Sequence, residues 1–192
     1  CIPTFNRCDE LELLLISIYE ELNNNKMLNE NVKVYVSDNS STDRTSITLA
    51  KYSERYDNFN YSINLENKGF GENLNIVTNM VTEGYFWIIG SDDTIINGAI
   101  TDVFNRINKS VIDILLVSPS VNNKKVPFFR AECKYDKLNI STLNDFYRLI
   151  SDFRQISSYF GFISSLVIKS DLWKNTIIDR YVETHDYTHL IK

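Results

Sequence analysis

The sequence predicts an α/β chain built on a mostly parallel sheet with helices on both faces. Three observations predict it. Short apolar runs alternate four times with stretches of helical spacing. Each run ends in a polar turn, the punctuation expected of strands joined by helical crossovers. The 192 residues, 43% hydrophobic and 23% charged, are enough for one domain with a sizeable core.

Cys1-Ile2-Pro3-Thr4 reads as the tail of a strand, with Pro3 where no ladder donor is needed. The chain is therefore expected to begin inside its first strand, with its natural N-terminus absent. Leu11, Leu14, Leu15, Ile18 and Leu22 recur at helical spacing and predict an amphipathic helix over Asp9–Leu22, ended by Asn23-Asn24-Asn25. Val32–Val36 is a short strand. The polar turn Ser37–Asp43 follows, and its Ser and Thr residues suit the N-cap of a helix over Asp43–Tyr56. Tyr61–Leu65 is the next strand, Asn67–Gly71 a turn and Glu72–Val81 a helix. Tyr85–Ile89 is an aromatic and β-branched run that reads as a buried strand, and it stops at Gly90-Ser91-Asp92-Asp93. A helix over Gly98–Ile107 and a strand over Ile112–Val117 close the regular half, residues 1–118.

The second half, residues 119–192, is less regular. Asn122–Lys125 is a loop and Val126–Cys133 a hairpin arm. Thr142–Phe153 is a helix capped by Ser141 or Thr142, Ser164–Lys169 a strand, and Ser170–Trp173 the start of a short helix. No second core or linker is evident, so 1–192 is read as a single domain.

Composition narrows the function. A net charge of −5 does not favour a nucleic-acid partner. No apolar run approaches the ~20 residues that span a bilayer. Cys1, Cys8 and Cys133 have no C-x-x-C spacing, which points to a reducing, cytoplasmic setting without a disulfide framework. Gly69 and Gly71 begin a G-x-G-x-x-G pattern, but its third glycine is Leu74, which counts against a dinucleotide-dependent oxidoreductase. His185 and His189 have a zinc-compatible spacing without a third ligand and read as surface residues. Tyr159, Phe160 and Phe162, around Gly161, read as core or cleft wall, with a platform for a sugar ring as the alternative.

In parallel sheets ligands bind outside the carboxyl ends of the strands. Pro3–Arg7, Ser37–Asp43, Asn67–Asn73 and Gly90–Asp93 each follow a strand, so four turns are expected to converge on one cleft. Adjacent carboxylates repel unless a cation sits beside them, and a divalent ion takes hard oxygen ligands. For Asp92 and Asp93 the plain alternative is a turn in which one of them caps the next helix. Asp38 can accept two hydrogen bonds from a base edge or a ribose. The hydroxyls beside it could hold the ribose or cap a helix. Gly69 and Gly71 let the backbone approach a ligand, with Lys68 and Asn73 as polar contacts.

Taken together, Ile2-Pro3-Thr4-Phe5-Asn6-Arg7, Val36-Ser37-Asp38-Asn39-Ser40-Ser41-Thr42-Asp43, Asn67-Lys68-Gly69 and Ile89-Gly90-Ser91-Asp92-Asp93 resemble the family-2 glycosyltransferases in order and spacing. The stretch Gly161–Val167, followed by Asp171-Leu172-Trp173, is similar to the branch that contains the bacterial abequosyltransferases and other O-antigen or capsule transferases. The resemblance implies the GT-A fold, a Rossmann-like, mostly parallel sheet sandwiched by helices, with a less regular acceptor side. It implies metal-dependent, inverting transfer of a hexosyl or deoxyhexosyl group from a nucleotide-diphosphate sugar. The acceptor would be a hydroxyl on a glycan or lipid-linked sugar in bacterial surface polysaccharide synthesis. The setting implied is the cytoplasm or the inner face of the plasma membrane, with peripheral membrane association open.

Carried over residue by residue, the resemblance assigns nucleotide-sugar binding to Pro3, Thr4, Asn6, Arg7, Asp38, Asn67, Lys68, Gly69, Asn73, Ser91 and Asp92. It assigns Mg2+ or Mn2+ to Asp92 and Asp93. It implies a carboxylate base that takes the acceptor's proton, for which the late acidic residues here are Asp186, preferred, and Glu183. Two departures stand out. The family's aspartate-any-aspartate motif has its first aspartate where this chain has Gly90, so a ribose or metal contact is either lost or supplied by Ser91. Its late Glu-Asp pair is missing. The departures motivate the alternative of a non-catalytic nucleotide- or glycan-binding module on the same scaffold.

Overall fold

Six strands line up through two sets of pairings in the computed structural model, which describes residues 1–118, 120, 139–142, 144–145 and 163–174. Strand β1 (Ile2–Thr4) lies parallel to β2 (Val34–Asp38), and β2 lies parallel to β3 (Phe59–Ile63). On the other side β6 (Leu166–Lys169) runs antiparallel between β4 (Tyr85–Trp87) and β5 (Ile114–Leu116). The backbone joins the two sets. The Cys1 nitrogen donates to the Trp87 carbonyl (2.8 Å), and the Ile89 amide donates to the Cys1 carbonyl (3.0 Å). That alternation is the parallel ladder pattern. The strand order is therefore β3-β2-β1-β4-β6-β5, with β6 alone reversed.

Seven helices accompany these strands among the described residues if the short turn Ile163–Ser165 is counted. The others are α1 (Cys8–Asn23), α2 (Lys26–Asn31), α3 (Thr45–Arg55), α4 (Gly69–Asn79), α5 (Ala99–Lys109) and α6 (Ser170–Lys174). Successive strand side chains point to opposite faces. Val34, Val36, Trp87 and Ile89 therefore join one core with Leu11, Leu14, Leu15 and Ile18 of α1, Leu49 of α3 and Ile100 of α5. Tyr35, Phe86 and Ile88 join the other with Leu74 and Val77 of α4 and Trp173 of α6. Trp173 locks the second face. Its ring meets Phe86 edge-on at 5.4 Å, and its Nε1 donates to Thr78 Oγ1 (2.9 Å).

The sheet is mostly parallel and helix-covered on both faces, as the alternation predicts. Several boundaries differ for identifiable reasons. The third strand is Phe59–Ile63 rather than Tyr61–Leu65: Phe59 is the buried anchor at 4% exposure, whereas Leu65 is fully exposed. Ser37 and Asp38 belong to β2 rather than to a turn, because β2 is a central strand whose ladders reach Thr4 on one side and Ile63 on the other. The asparagine run after α1 does not lead into a loop. Asn25 caps a further helix, α2, with its Oδ1 accepting the Leu28 amide (3.3 Å), and Leu28 is buried. Helix α3 starts at Thr45, not Asp43. The expected arm over Val126–Cys133 and most of the helix over Thr142–Phe153 lie outside the described residues.

Candidate functional site

The carboxyl ends of β1, β2, β3 and β4 are stitched to one another by side chains from the four polar turns. Asn6 ties the first turn to the second: its amide donates to Ser41 Oγ (2.8 Å), and its Oδ1 accepts the Thr42 amide (2.7 Å). Buried Asn39 ties the second to the third. Its Nδ2 donates to Asn67 Oδ1 (2.8 Å) and the Gly69 carbonyl (3.2 Å), and its Oδ1 accepts the Lys68 amide (2.9 Å) and Asn64 Nδ2 (3.0 Å). Asn73 ties the third back to the strands. Its Oδ1 accepts Ser37 Oγ (2.7 Å) and Asn64 Nδ2 (3.0 Å), and its Nδ2 donates to the carbonyls of Ser37 (3.0 Å) and Thr4 (3.4 Å). Arg7 ties the first turn to the fourth through a 2.7 Å ion pair with Asp92, both side chains about half exposed.

Three residues with positive φ shape these turns. Gly69 (φ 80°) opens α4, while Asn6 (φ 50°) and Ser40 (φ 66°) hold the left-handed region without being glycine. Such conformations cluster at ligand sites because the surroundings must impose them.

Two buried polar atoms at the ends of β1 and β2 have no partner, Thr4 Oγ1 and Asp38 Oδ2. Thr4 and Asp38 are register partners on adjacent strands. Burial pushes the Asp38 carboxyl up, the hydroxyl and amide of Ser41 pull it down, and the charge of Asp43 adds to the rise; the net direction is upward. Its Oδ1 takes both Ser41 bonds, which leaves Oδ2 unsatisfied. Buried polar atoms are rarely left so, and each orphan calls for an explanation.

Ser41 and Thr42 do not cap α3. Asp43 does the capping, and at two helices: its Oδ1 accepts the Thr45 amide (2.9 Å) at α3, and its Oδ2 accepts the Cys8 amide (2.9 Å) at α1. Burial works to raise the Asp43 carboxyl, but the bonds from Thr45 and Cys8 outweigh it and hold it below the ordinary range. Carboxylates at two helix N-termini also oppose the positive ends of the helix dipoles.

At the fourth turn the Asp93 amide closes back on the Gly90 carbonyl (3.0 Å). A Cβ built on Gly90 would stand 3.0 Å from Asp92 Oδ1, 3.1 Å from Asp93 Oδ2 and 3.6 Å from Ser164 Oγ. Two carboxylate oxygens and a hydroxyl thus gather against Gly90 at the strand end. Hard oxygens around a point are the donor set of Mg2+ or Mn2+. Among the described residues no group of three or more His, Cys, Asp or Glu side chains gathers to hold a metal. The set therefore fits an ion shared between one or two protein carboxylates and a substrate's phosphates, the usual mode for Mg2+. Ser91, expected to contact the donor, is buried at 3% exposure beside this turn.

Pro3 and Thr4 are buried in β1, while Asn67, Lys68 and Gly69 stand exposed at the start of α4. Asn73 is 2% exposed, and both ends of its amide are engaged within the protein. Asp186, Glu183, His185, His189, Tyr159, Phe160 and Phe162 lie outside the described residues. Sequence reasoning missed Asn39, Ser164 and Glu21. Asn39 directly follows Asp38 and could have been found as the amide at a strand end. Ser164 carries no local signal.

Comparison with known proteins fits this geometry. The description "Glycosyl transferase family 2" matches residues 1–170. The abequosyltransferase RfbV of Salmonella typhimurium is 28% identical over 99% of this chain, which spans 58% of that protein's length. TarS of S. aureus, solved as residues 1–349, superposes with a TM-score of 0.73 at 21% identity over 97% of this chain and 51% of its own; a second TarS structure contains UDP. The mannosyltransferase PcManGT of Pyrobaculum calidifontis, solved with GDP-Man and Mn2+, superposes with a TM-score of 0.59 at 18% identity over 90% of this chain and 44% of its own. The chain thus spans about half the length of these relatives. With the family's pattern over residues 1–170 and this sheet beneath it, the chain belongs to glycosyl transferase family 2 and has the GT-A fold.

Proposed function

We propose that this chain carries the donor-binding part of an inverting glycosyltransferase of bacterial surface polysaccharide synthesis. It would move a hexosyl or deoxyhexosyl group from a nucleotide-diphosphate sugar to a hydroxyl of a glycan or lipid-linked acceptor. The observation that carries the reading is the pairing of two features at the carboxyl ends of neighbouring strands: the partnerless Thr4 Oγ1 and Asp38 Oδ2, and the Asp92 and Asp93 oxygens gathered against Gly90.

The roles follow from placement. Pro3 sets the end of β1, and Thr4 and Asp38 offer the nucleoside a hydroxyl and a carboxylate oxygen. Asp38 is 0% exposed and bonded by Ser41, so this role requires the Ser41 turn to move aside when a nucleoside binds. Asn6 and Asn67 hold the flanking turns, and the Gly69 backbone lets the donor come close. Asn73 acts from below, by fixing the turns. Lys68 and Arg7 supply positive charge at the cleft rim, and Ser91 packs beneath the acidic turn. Asp92, with Asp93, would hold Mg2+ or Mn2+, which when bound offsets the charge that grows on the departing diphosphate. In the transfer itself, the acceptor oxygen attacks the anomeric carbon as its bond to the diphosphate breaks. The acceptor's proton passes to a carboxylate, for which Asp186 is the first candidate and Glu183 the second. No helix among the described residues is long and apolar enough to cross a membrane. A cytoplasmic enzyme working at the inner membrane face is the setting we infer.

A thermal-shift screen of UDP, GDP, CDP and dTDP with and without Mn2+ tests the reading. One nucleotide should raise the melting temperature only with the ion, by the equivalent of ~2.7 kcal/mol at a hundredfold excess over Kd. Asp92→Ala should fold normally and lose the ion-dependent part. A screen that stays flat for the wild type would overturn the donor-binding reading and favour a degenerate module on the same scaffold.

A further inference from the structure

Ser164 sits 71 residues after Asp93 in sequence, yet its hydroxyl lies at the centre of the acidic turn. Its Oγ accepts the Gly90 amide (3.0 Å). A backbone N–H can only donate, so the hydroxyl's single proton is free to point elsewhere. It points to Asp93 Oδ2, the oxygen that lies against Gly90. The backbone of Ser164 is pinned as well, because its carbonyl accepts Trp87 Nε1 (2.8 Å) from β4. Ser164 therefore has a fixed orientation and a fixed hydrogen-bond direction.

Gly90 completes the device. A side chain there would meet Asp92 Oδ1 at 3.0 Å and Asp93 Oδ2 at 3.1 Å, closer than ordinary van der Waals contact. Both carboxylates pack against Gly90, where any side chain would displace them. We propose that Ser164 is a positioning residue: held by the Gly90 amide, it fixes the Asp93 carboxylate beside Asp92, and so completes a two-carboxylate cation site that replaces the aspartate absent at position 90. This rests on the metal-assisted reading given above. A carboxylate oxygen has lone pairs enough to accept Ser164 and still face a cation. Partners of this kind orient ligand groups and raise metal affinity.

The test is Mn2+ uptake in the presence of the nucleotide that the thermal screen selects, followed by the loss of the free-ion EPR signal. Ser164→Ala should weaken Mn2+ by roughly tenfold, the lower end of what such partners contribute. Metal-free nucleotide binding should be unchanged, and Ser164→Thr, which keeps the hydroxyl, should restore Mn2+ binding. In an Asp93→Asn background Ser164→Ala should add almost nothing, since the two act as a unit. Mn2+ affinity unchanged in Ser164→Ala overturns the role, as does a full additional loss on top of Asp93→Asn. A merely structural serine would lower the melting temperature and leave the affinity in place. If the wild type takes up no Mn2+ with any of the four nucleotides, the metal reading itself falls and this inference with it. That outcome is told apart because it appears before any substitution is made.

Discussion

Asp38 shows what a single side chain contributes at this site. Its carboxyl is raised from the ordinary 3.8, chiefly by burial. A raised acid stabilises the fold below its unfolded value, and that contribution is lost as pH rises through the folded value. At neutral pH the buried charge is therefore a liability, kept at a place where a ligand donor would satisfy Oδ2. Asp38→Asn should melt at a higher temperature than the wild type at neutral pH, and the gap should close as pH falls toward 3.8. The same variant should bind nucleotide at least several-fold more weakly. Calorimetry across pH with a nucleotide titration checks both; a variant destabilised at neutral pH would mean that Oδ2 has a partner in the free protein. The placement of Asp38 and Asp92 at the carboxyl ends of strands was legible in the sequence because each follows a β-run. Ser164 was not, because its partnership with Gly90 and Asp93 is made by folding across distant chain. The capping role was misplaced by two residues, since Ser41 turns inward to Asp38 and leaves α3 to Asp43.

At the scale of elements, α1 does more than cover the sheet. Ser17 Oγ accepts the Ile95 amide (2.9 Å), and buried Glu21 accepts the amides of Ile100 (3.3 Å) and Thr101 (2.8 Å) at the start of α5. One helix thus holds the segment that leads out of the acidic turn. Glu21→Ala would strand two donors at a buried helix end and should cost about 1–3 kcal/mol in urea unfolding. Glu21→Gln, which keeps an acceptor, should cost clearly less. A loss within about 0.5 kcal/mol, normal for a surface site, would contradict this cap. The apolar face of α1 was plain from the spacing of Leu11, Leu14, Leu15, Ile18 and Leu22. The cap was not, because a Glu in an amphipathic helix reads as solvent-facing until the partner helix is in place. Likewise Asn25 reads as the continuation of a helix stop, and only the burial of Leu28 shows that it begins α2.

For the whole molecule, the decisive element arrives late. β6 comes late in the chain, inserts between β4 and β5, and brings Ser164 with it. The alternation of strands and helices revealed the parallel part, but nothing local announced where the reversed strand would insert. We propose that residues 1–118 are not a separate folding unit. A chain cut after residue 118 should leave β5 unpaired, β4 held by β1 alone, and the face of Phe86 and Ile88 without Leu166, Ile168 and Trp173. It should bind ANS and lack a single cooperative unfolding transition, as loosely packed states do. A sharp two-state transition in that fragment would show that the first half folds by itself.

The amide lattice of Asn39, Asn64, Asn67 and Asn73 is made wholly of neutral groups, whereas the first and fourth turns meet through a half-exposed ion pair, Arg7 with Asp92. Added electrolyte screens exposed charges over a Debye length of ~8 Å at physiological ionic strength and ~3 Å at 1 M, and leaves neutral hydrogen bonds almost untouched. The two sides of the cleft therefore answer to different solvent conditions. Ionic strength weakens the link between the first and fourth turns and spares the amide lattice that joins the second and third.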